Sequence, residues 1–323
     1  MQSSARQFDV FNGDADGLCS LHQLRLEFPV PATLITGRKR EIALLERVQA
    51  CAGDRVTVLD ISLDRNRAAL EALLQRGVRV EYFDHHQSGQ PPAHPALHAI
   101  IDTAPEVCTG ILVDRFLHGR QRLWAVVAAF GDNLAEQARG LGTAAGIEAP
   151  RLAELQELGD CLNYNAYGDS DDDLIIHPRM LYDCLHHYRD PWTFFADEPV
   201  FARLRTTRAE DLALAHQHQK RVALPVGVIA LLPDTASSRR VRGTFAHQLA
   251  RDSPDKAHAV LTPNRQGGYT VSVRAPKKRP HDADALCALF GGSGRAAAAG
   301  IDDLPHSQVD AFAAAFARSF QDG

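Results

Sequence analysis

The stretch that decides the fold is Tyr82-Phe83-Asp84-His85-His86, which follows the hydrophobic run Val78–Val80 after one residue. An acid and two imidazoles at the exit of a predicted strand form a ready-made metal-binding corner. In an open parallel α/β sheet the carboxyl ends of the strands share one edge, and ligands bind there. The sequence therefore predicts that distant segments converge on one cluster of carboxylates and imidazoles. Three more segments follow apolar runs in the same way: Asn12–Gly17 after Phe8–Phe11, Asp60 after Val56–Leu59, and Asp132 after Val126–Phe130.

The first half of the chain alternates strand and helix signals, which is typical of an α/β parallel sheet with helices on both faces. The predicted strands are Phe8–Phe11, Ala32–Thr36, Val56–Leu59, Val78–Phe83 and Leu97–Ile101. The predicted helices are Gly17–Glu27, Glu41–Val48, Asp64–Arg76, Thr109–Leu117 and Leu123–Phe130.

The pattern changes near Arg151, so we expect a parallel-sheet domain over residues 1–150, a helical connection over 151–224 and a smaller α/β substrate domain over 225–323. Helices are predicted at Leu152–Asn163 and Ala209–Val222, with a loop between them at Tyr164–Asp173. Tyr164 and Tyr167 of this loop are candidates for stacking on bases, the alternative being a solvated interdomain loop. The last region has predicted strands Val226–Leu232, Ala257–Thr262 and Tyr269–Val273, helices Arg242–Ala250 and Ala283–Leu289, and a glycine-rich turn at Gly291–Gly300.

Composition excludes several classes of protein. The net charge of −5 argues against a broad duplex-binding surface but permits a local basic pocket. The six cysteines form no Cys-x-x-Cys pair, which argues against structural zinc and fits reduced thiols. The opening MQSSARQFDVFNG has no hydrophobic signal core, and no run reaches the ~18 apolar residues that span a bilayer. We expect a cytoplasmic protein that does not associate with membranes.

The acidic positions each have a structural and a functional interpretation. Asp14 and Asp16 are two residues apart, and Gly17 permits a tight turn into a helix. Two carboxylates this close can serve adjacent metal ions, but they also fit an ordinary Asp/Gly turn with a helix cap. Asp60 is a candidate bridge between two metals or a cap for the helix near Asp64.

Asp84-His85-His86 is the sharpest local signal. One imidazole can bind a metal while the next reaches toward a substrate, and Asp84 can orient an imidazole. Asp132 completes the set of candidate metal ligands. The alternative interpretation of Asp132 is an ordinary turn residue. Oxygen and nitrogen ligands without sulfur suit Mn²⁺ or Mg²⁺ better than structural zinc. Two such ions about 3.5–4 Å apart can activate water and hold a phosphate.

These motifs resemble those of the DHH phosphoesterase superfamily, which includes RecJ nucleases, nanoRNases, cyclic-dinucleotide phosphodiesterases and family II pyrophosphatases. The C-terminal glycine-rich segment resembles the DHH-associated substrate domain, whose signature is Gly-Gly-Gly-His followed by Ala-Ala-Gly. Pyrophosphatases and exopolyphosphatases of the superfamily lack that signature. Its presence therefore favours nucleotide phosphodiesters as the substrate class. The matching motifs are Gly13–Gly17, Asp60, Asp84-His85-His86 and Asp132.

The resemblance implies two divalent cations, Mn²⁺ with Mg²⁺ as the alternative. Asp14 and Asp60 would hold one cation, and Asp60 would bridge to the other. That second cation would be held by Asp16, Asp60, His85 and Asp132. The resemblance assigns catalytic roles to His86, next to the scissile phosphate, and to Asp84 and Asp60.

The chain departs from the family pattern at two places. Many members have a His just before the first Asp pair, where this chain has Phe11 and Asn12. One cation site is then weaker, or the Asn12 carbonyl oxygen contributes. The signature His of the C-terminal motif is replaced by Arg295, which can bind phosphate bidentately but cannot carry a proton near neutral pH. The substrate-binding residues that the resemblance implies are Arg274, Gly292, Ser293, Gly294 and Arg295.

The function implied is hydrolysis of short linear oligonucleotides or dinucleotides to mononucleotides. A nucleic acid of a few nucleotides or a nucleotide is the expected partner, and no long duplex is expected, because the chain is shorter than a typical RecJ. One alternative is a cyclic-dinucleotide phosphodiesterase or small-molecule phosphatase that uses the same metals. Another is a non-catalytic nucleotide-binding protein. The oligomeric state is open, with a homodimer as one alternative.

Overall fold

The computed structural model describes residues 5–321, which form two compact units. The first unit comprises residues 5–167 and 174–206, and the second comprises residues 168–173 and 207–321. Each unit has its own hydrophobic core. Within residues 5–321, no helix is long and apolar enough to cross a membrane.

The first unit is built on a five-stranded sheet in the order β2-β1-β3-β4-β5, with every neighbouring pair parallel. The three central strands are buried over most of their length. This is typical of strands in a parallel sheet that is covered on both faces. The predicted α/β fold with a parallel sheet is therefore confirmed. The strands are β1 Gln7–Asn12, β2 Thr33–Gly37, β3 Arg55–Leu59, β4 Arg79–Asp84 and β5 Leu97–Ile101.

The strand order reverses next to β1, because β2 lies on one side of it while β3, β4 and β5 follow on the other. At such a reversal the loops leaving the carboxyl ends of adjacent strands diverge and open a crevice. Asp14 and Asp60 follow β1 and β3, and Asp84 is the last residue of β4, so the topology alone brings these three carboxylates to one place.

Helices occupy most of the remaining first unit, and two sequence predictions are wrong there. The segment predicted as a helix at Glu41–Val48 forms only a short 3₁₀ turn, Leu44–Arg47, where the Asn66 side chain hydrogen-bonds the backbone. Tyr164 lies in a helix and is fully buried, so it cannot stack on a base. The helices are α1 Ala15–Glu27, α2 Leu63–Gln75, α3 Thr109–Phe116, α4 Arg122–Gly131, α5 Ala135–Ala144, α6 Ala149–Asn165, α7 Pro178–Leu185, α8 Pro191–Asp197 and α9 Pro199–His218, the last of which continues into the second unit.

A buried ion pair ties α1 to β1 and so fixes the turn that carries the first Asp pair. Arg25 donates from Nε to Oδ2 of Asp9 at 2.7 Å and pairs its Nη2 with the other carboxylate oxygen. Nη2 also donates to the Thr57 hydroxyl on β3 at 3.3 Å. Both charged side chains are less than a tenth exposed.

Arg25→Met should lower the free energy of unfolding by about 3–5 kcal/mol, because it leaves the Asp9 carboxylate buried without a partner. Urea denaturation of both proteins measures the difference. Arg115→Met is the matched control, since its ion pair with Asp102 is exposed and such pairs contribute at most about 1 kcal/mol. Equal losses in the two variants would contradict the structural role given to Arg25.

The second unit contains a six-stranded mixed sheet in the order β10-β11-β9-β8-β7-β6, in which only β7 and β8 pair in parallel. The helix predicted at Ala209–Val222 ends at His218, and an exposed edge strand follows it. The glycine-rich turn forms a β-hairpin. The elements are β6 Lys220–Leu224, β7 Gly227–Leu231, α10 Ala236–Asp252, β8 Ala257–Pro263, β9 Tyr269–Arg274, α11 Ala283–Ala288, β10 Ser293–Arg295, β11 Ala298–Leu304 and α12 Val309–Ser319.

Candidate metal centre

The turn after β1 is built to present two carboxylates. Asp14 caps α1, and its Oδ1 accepts the Gly17 N–H at 3.1 Å. A Cβ on Gly17 would lie 2.2 Å from the carbonyl oxygen of Asn12, so only glycine fits there. Asp16 lies in the first turn of the helix and is 1% exposed. The same turn therefore serves both as a helix cap and as the carrier of two site residues.

Both oxygens of Asp16 are oriented by the N-terminus of α3. The Thr109 N–H donates to Oδ2 at 2.8 Å, and the Gly110 N–H donates to Oδ1 at 2.7 Å. Amides at a helix N-terminus are free to bind a carboxylate, because they have no partner within the helix. Asp16 is thus held rigidly from a segment more than 90 residues away in the chain.

Asp60, directly after β3, has a backbone angle φ of 59°, which lies in the left-handed region that few non-glycine residues adopt. Its Oδ1 accepts a hydrogen bond from the Thr109 hydroxyl at 3.2 Å, and the side chain is 2% exposed. Strained backbone of this kind is found at functional sites, where the surrounding structure enforces it. The left-handed backbone of Asp60 directs its carboxylate toward the imidazoles that follow β4.

His85 stands at the centre of the cluster, with a side chain only 8% exposed. Its Nε2 lies 3.4 Å from Oδ1 of Asp60, 3.8 Å from Oδ2 of Asp132 and 3.9 Å from Oδ2 of Asp16. Asp132 reaches this point from the end of α4. Three predicted carboxylate ligands, each from a different segment, therefore surround one nitrogen atom of the fourth predicted ligand, His85.

Asp84 orients the two histidines and is itself fully buried. Its Oδ1 accepts from the backbone N–H of His85 at 2.9 Å and of His86 at 3.2 Å, and it lies 2.7 Å from Nδ1 of the His86 ring. Its Oδ2 accepts the Leu63 N–H at 3.3 Å. The His86 side chain is 41% exposed, so its second nitrogen is the accessible one.

The buried carboxylates perturb one another. Burial and the Asp60 carboxylate raise the pKa of Asp16 to about 8. Burial and Asp14 raise the pKa of Asp60 to about 6. Burial alone would lower the pKa of His85, but its hydrogen bond and charge interaction with Asp60 raise it to about 10. The protein's own positive charge is thus too small to balance these buried carboxylates. A bound cation would stabilise their ionised forms.

Asp14 is the exception, because the Lys39 ammonium pairs with it. Burial opposes ionisation of Asp14, yet Lys39 lowers its pKa to about 2. The distance from Nζ of Lys39 to Oδ2 of Asp14 is 2.5 Å. The predicted ligands are therefore not all equivalent, since Asp14 already has a positive partner from the protein.

The donor set fits a divalent cation. Among the described residues, two groups place their ligand atoms within 4.8 Å of one another, and they share His85. They offer carboxylate oxygen and imidazole nitrogen without sulfur, which suits Mn²⁺ or Mg²⁺. The groups are Asp16, His85 and Asp132, and Asp60, His85 and His86.

In the second unit, Arg274 and Arg295 lie in one row across neighbouring strands. Arg274 pairs with Ala298 and Ala298 pairs with Arg295, so the two arginines share a face of the sheet. Arg274 donates from Nε to Nδ1 of His247 at 3.2 Å. Burial and the nearby Arg274 lower the pKa of His247 to about 4, so its ring is neutral and can accept.

The glycine-rich segment is a close-packed hairpin. The Gly292 N–H donates to the Cys287 carbonyl at 2.8 Å, while Ser293 and Gly294 pair with Gly300 and Ala299. A Cβ on Gly294 would lie 2.4 Å from Cα of Ala299. The two glycines are therefore packed closely within the hairpin, and the Gly292 N–H is used inside it.

No protein-family model matches the sequence, and no curated protein matches it. Solved structures do match. An exonuclease RecJ bound to manganese superposes with a TM-score of 0.63 at 17% identity, covering 99% of this chain and 91% of that chain. RecJ with Mn²⁺ from Thermus thermophilus gives 0.58 at 20% identity, covering 99% of this chain and 53% of that chain. The chain therefore spans about half the length of the Thermus protein.

A pGpG-specific phosphodiesterase, PggH from Vibrio cholerae, gives a TM-score of 0.54 at 13% identity over 98% of both chains. The chain shares the fold of these proteins. The fold expected from the resemblance is thereby confirmed.

Three residues of the candidate site were not singled out from the sequence: Lys39, Thr109 and Asn163. Lys39 follows β2 just as the acids follow their strands, so extending the strand-end argument to basic residues would have found it. Thr109 acts largely through its backbone N–H, and Asn163 comes from the last turn of α6. Nothing in the local sequence marks either of these two.

Proposed function

We propose that the protein is a metal-dependent phosphoesterase that hydrolyses short linear oligonucleotides or dinucleotides to mononucleotides. The observation that carries this proposal is the meeting of Asp16, Asp60, His85 and Asp132 at one strand edge. A cluster of buried carboxylates around an imidazole has little structural use, because it repels itself unless a cation is present. Pure nucleotide binding would not require such a ligand set.

Mn²⁺ is the cation we propose, with Mg²⁺ as the alternative, and Asp16, Asp60, His85 and Asp132 would hold it. When bound there, a divalent cation would polarise a phosphoryl oxygen and make water a better nucleophile. The protein's own part is to hold these side chains in place, which it does through the helix α3 amides and the enforced backbone of Asp60.

We propose His86 as the catalytic group that touches the substrate. Asp84 accepts the proton of Nδ1, which leaves Nε2 directed toward the accessible side of the ring. From there Nε2 can donate to a phosphate oxygen or return a proton to the leaving group. Asp84 acts as a positioning residue, since it fixes both the tautomer and the ring orientation.

The substrate class is supported by the second unit and by the matched structures. Arg274 and Arg295 on one sheet face suit the phosphates of a short nucleotide chain, because guanidinium groups bind phosphate bidentately. Two of the matched structures are named as an exonuclease and as a pGpG-specific phosphodiesterase.

The test is a substrate panel with Mn²⁺: linear dinucleotides, oligonucleotides of increasing length, cyclic dinucleotides, pyrophosphate and adenosine 3′,5′-bisphosphate. We expect the highest kcat/KM on the short linear species, with mononucleotides as products. Preference for a cyclic dinucleotide or for the bisphosphate would replace the substrate class but keep the phosphoesterase. Tight nucleotide binding without turnover of any compound would indicate a binding protein instead.

Arg295→Ala should raise KM for a linear dinucleotide about tenfold or more while changing kcat less. The side chain is exposed, and a charged hydrogen bond to phosphate contributes about 1.5–3 kcal/mol. Lys278→Ala is the matched control, because it removes an exposed cation that pairs with Asp255. An unchanged KM in Arg295→Ala would exclude Arg295 from substrate binding.

A further inference from the structure

The Lys39 side chain enters the metal centre from a backbone that is fixed on both sides. The Lys39 N–H donates to the Ala166 carbonyl at 3.1 Å. The Lys39 carbonyl accepts from Nδ2 of Asn12 at 3.3 Å. The Oδ1 atom of Asn12 in turn accepts the Asp14 N–H at 3.2 Å. Asn12 therefore uses its amide to hold Lys39 and the first Asp turn together.

Three oxygen atoms surround the Lys39 ammonium. Nζ lies 2.5 Å from Oδ2 of Asp14, 3.2 Å from Oδ1 of Asn163 and 3.8 Å from Oδ1 of Asp132. The Tyr167 ring covers a further side, with its centroid 5.7 Å from Nζ. Two of the three N–H donors of the ammonium have acceptors at hydrogen-bond distance, and the Asp132 carboxylate adds an ion pair.

Asp132 divides the cluster into two halves. Its Oδ1 faces the Lys39 ammonium, whereas its Oδ2 faces Nε2 of His85. Asp14 lies on the Lys39 side, where one of its oxygens accepts from Nζ and the other accepts from the Gly17 N–H. Neither group of candidate metal ligands among the described residues includes Asp14.

We propose that this protein binds one divalent cation, and that the Lys39 ammonium occupies the position beside Asp14 and Asp132 that a second cation would otherwise take. This rests on the proposed function, because it assumes a metal centre at Asp16, Asp60, His85 and Asp132. The ammonium takes the place of the cation that the resemblance assigns to Asp14 and Asp60. Lysine acts here as a fixed point charge of +1.

Two consequences follow from a built-in cation. The positive charge beside Asp14 does not depend on metal concentration, so Mn²⁺ should activate the protein as a single site with a Hill coefficient near 1. Removing the ammonium while leaving its space should create a second site, since Asp14, Asp132 and Asn163 would then present oxygen atoms around a gap. Divalent hard cations take such oxygen ligands.

The test is the Mn²⁺ stoichiometry of chelator-stripped full-length protein, measured by titration calorimetry and by metal analysis after desalting. Wild type should bind one equivalent, and Lys39→Ala should bind two, with the added site at least tenfold tighter than any second site of wild type. Electron paramagnetic resonance gives an independent readout, because two neighbouring Mn²⁺ ions couple their spins whereas one isolated ion shows a six-line pattern.

Lys39→Arg is the matched control, since it keeps a positive charge and should remain at one equivalent. Lys39→Ala combined with Asp14→Ala should also return to one. Two equivalents in wild type, with hydrolysis intact, would overturn this inference and leave the proposed function standing. One equivalent in a folded Lys39→Ala protein would overturn it as well. No bound Mn²⁺ in any of the proteins would overturn both the inference and the proposed function.

Discussion

Asp60→Asn should lower the rate of Mn²⁺-dependent hydrolysis by about 10³-fold, which corresponds to about 4 kcal/mol of lost transition-state stabilisation. The carboxylate lies 3.4 Å from Nε2 of His85 and is 2% exposed, so it is a central member of the proposed cation site. An amide has nearly the same shape but carries no charge. The loss should therefore fall on cation binding and on kcat rather than on folding.

The fold of this variant should survive, because asparagine tolerates the left-handed backbone that Asp60 adopts. Asp102→Asn is the matched control: Asp102 also follows a strand of the same sheet, but its partner is the exposed Arg115. Steady-state kinetics and metal analysis of both variants measure the effect. An Asp60→Asn protein with activity within a factor of about ten of wild type would contradict the assignment of the site.

Asp84→Asn should lower kcat by about 10- to 100-fold with little change in KM. Losses of this size are typical when a residue that orients a metal-site histidine is removed. Asp84 accepts from the His86 ring at Nδ1 and from three backbone N–H groups. An amide nitrogen in this place would face donors, so the His86 ring would lose its orientation. Stability should also fall, by about 1–3 kcal/mol, because a buried donor is left without an acceptor.

The separation of kcat from KM distinguishes positioning of His86 from a merely structural role. Glu81→Gln is the matched control, since Glu81 lies on the same strand and also faces a histidine, His98, but at an exposed position. It should leave kcat and the free energy of unfolding unchanged. A variant at Asp84 that lost stability yet kept wild-type kcat would exclude the role given to Asp84.

The fold and much of the site could be predicted because the central strands are short apolar runs, each followed by a charged residue. A buried parallel sheet needs such runs, and its carboxyl edge collects whatever follows them. Asp14, Asp60 and Asp84 were located correctly in this way at the ends or exits of strands. Their proximity follows from topology and needs no knowledge of side-chain contacts.

The remaining features of the fold and the site depend on tertiary contacts that leave no local pattern in the sequence. Asp132 joins the site from a helix end, so the rule that collects strand-end residues at one edge of the sheet does not place it. The bonds from α3 to Asp16 join residues more than 90 positions apart. The edge strand β6 was missed because it is exposed and lacks the alternation of a half-buried strand. Lys39 also follows a strand, but a lysine at a strand end does not by itself indicate a metal site.

The most direct test of the central claim is single-turnover hydrolysis of a linear dinucleotide by chelator-stripped protein, before and after addition of stoichiometric Mn²⁺. We expect no detectable mononucleotide from the stripped protein. Added Mn²⁺ should restore the rate by at least about 10²-fold, as expected for an ion that stabilises several kcal/mol of transition-state charge. Equal rates with and without Mn²⁺, or no hydrolysis with Mn²⁺ bound, would contradict a metal-dependent phosphoesterase.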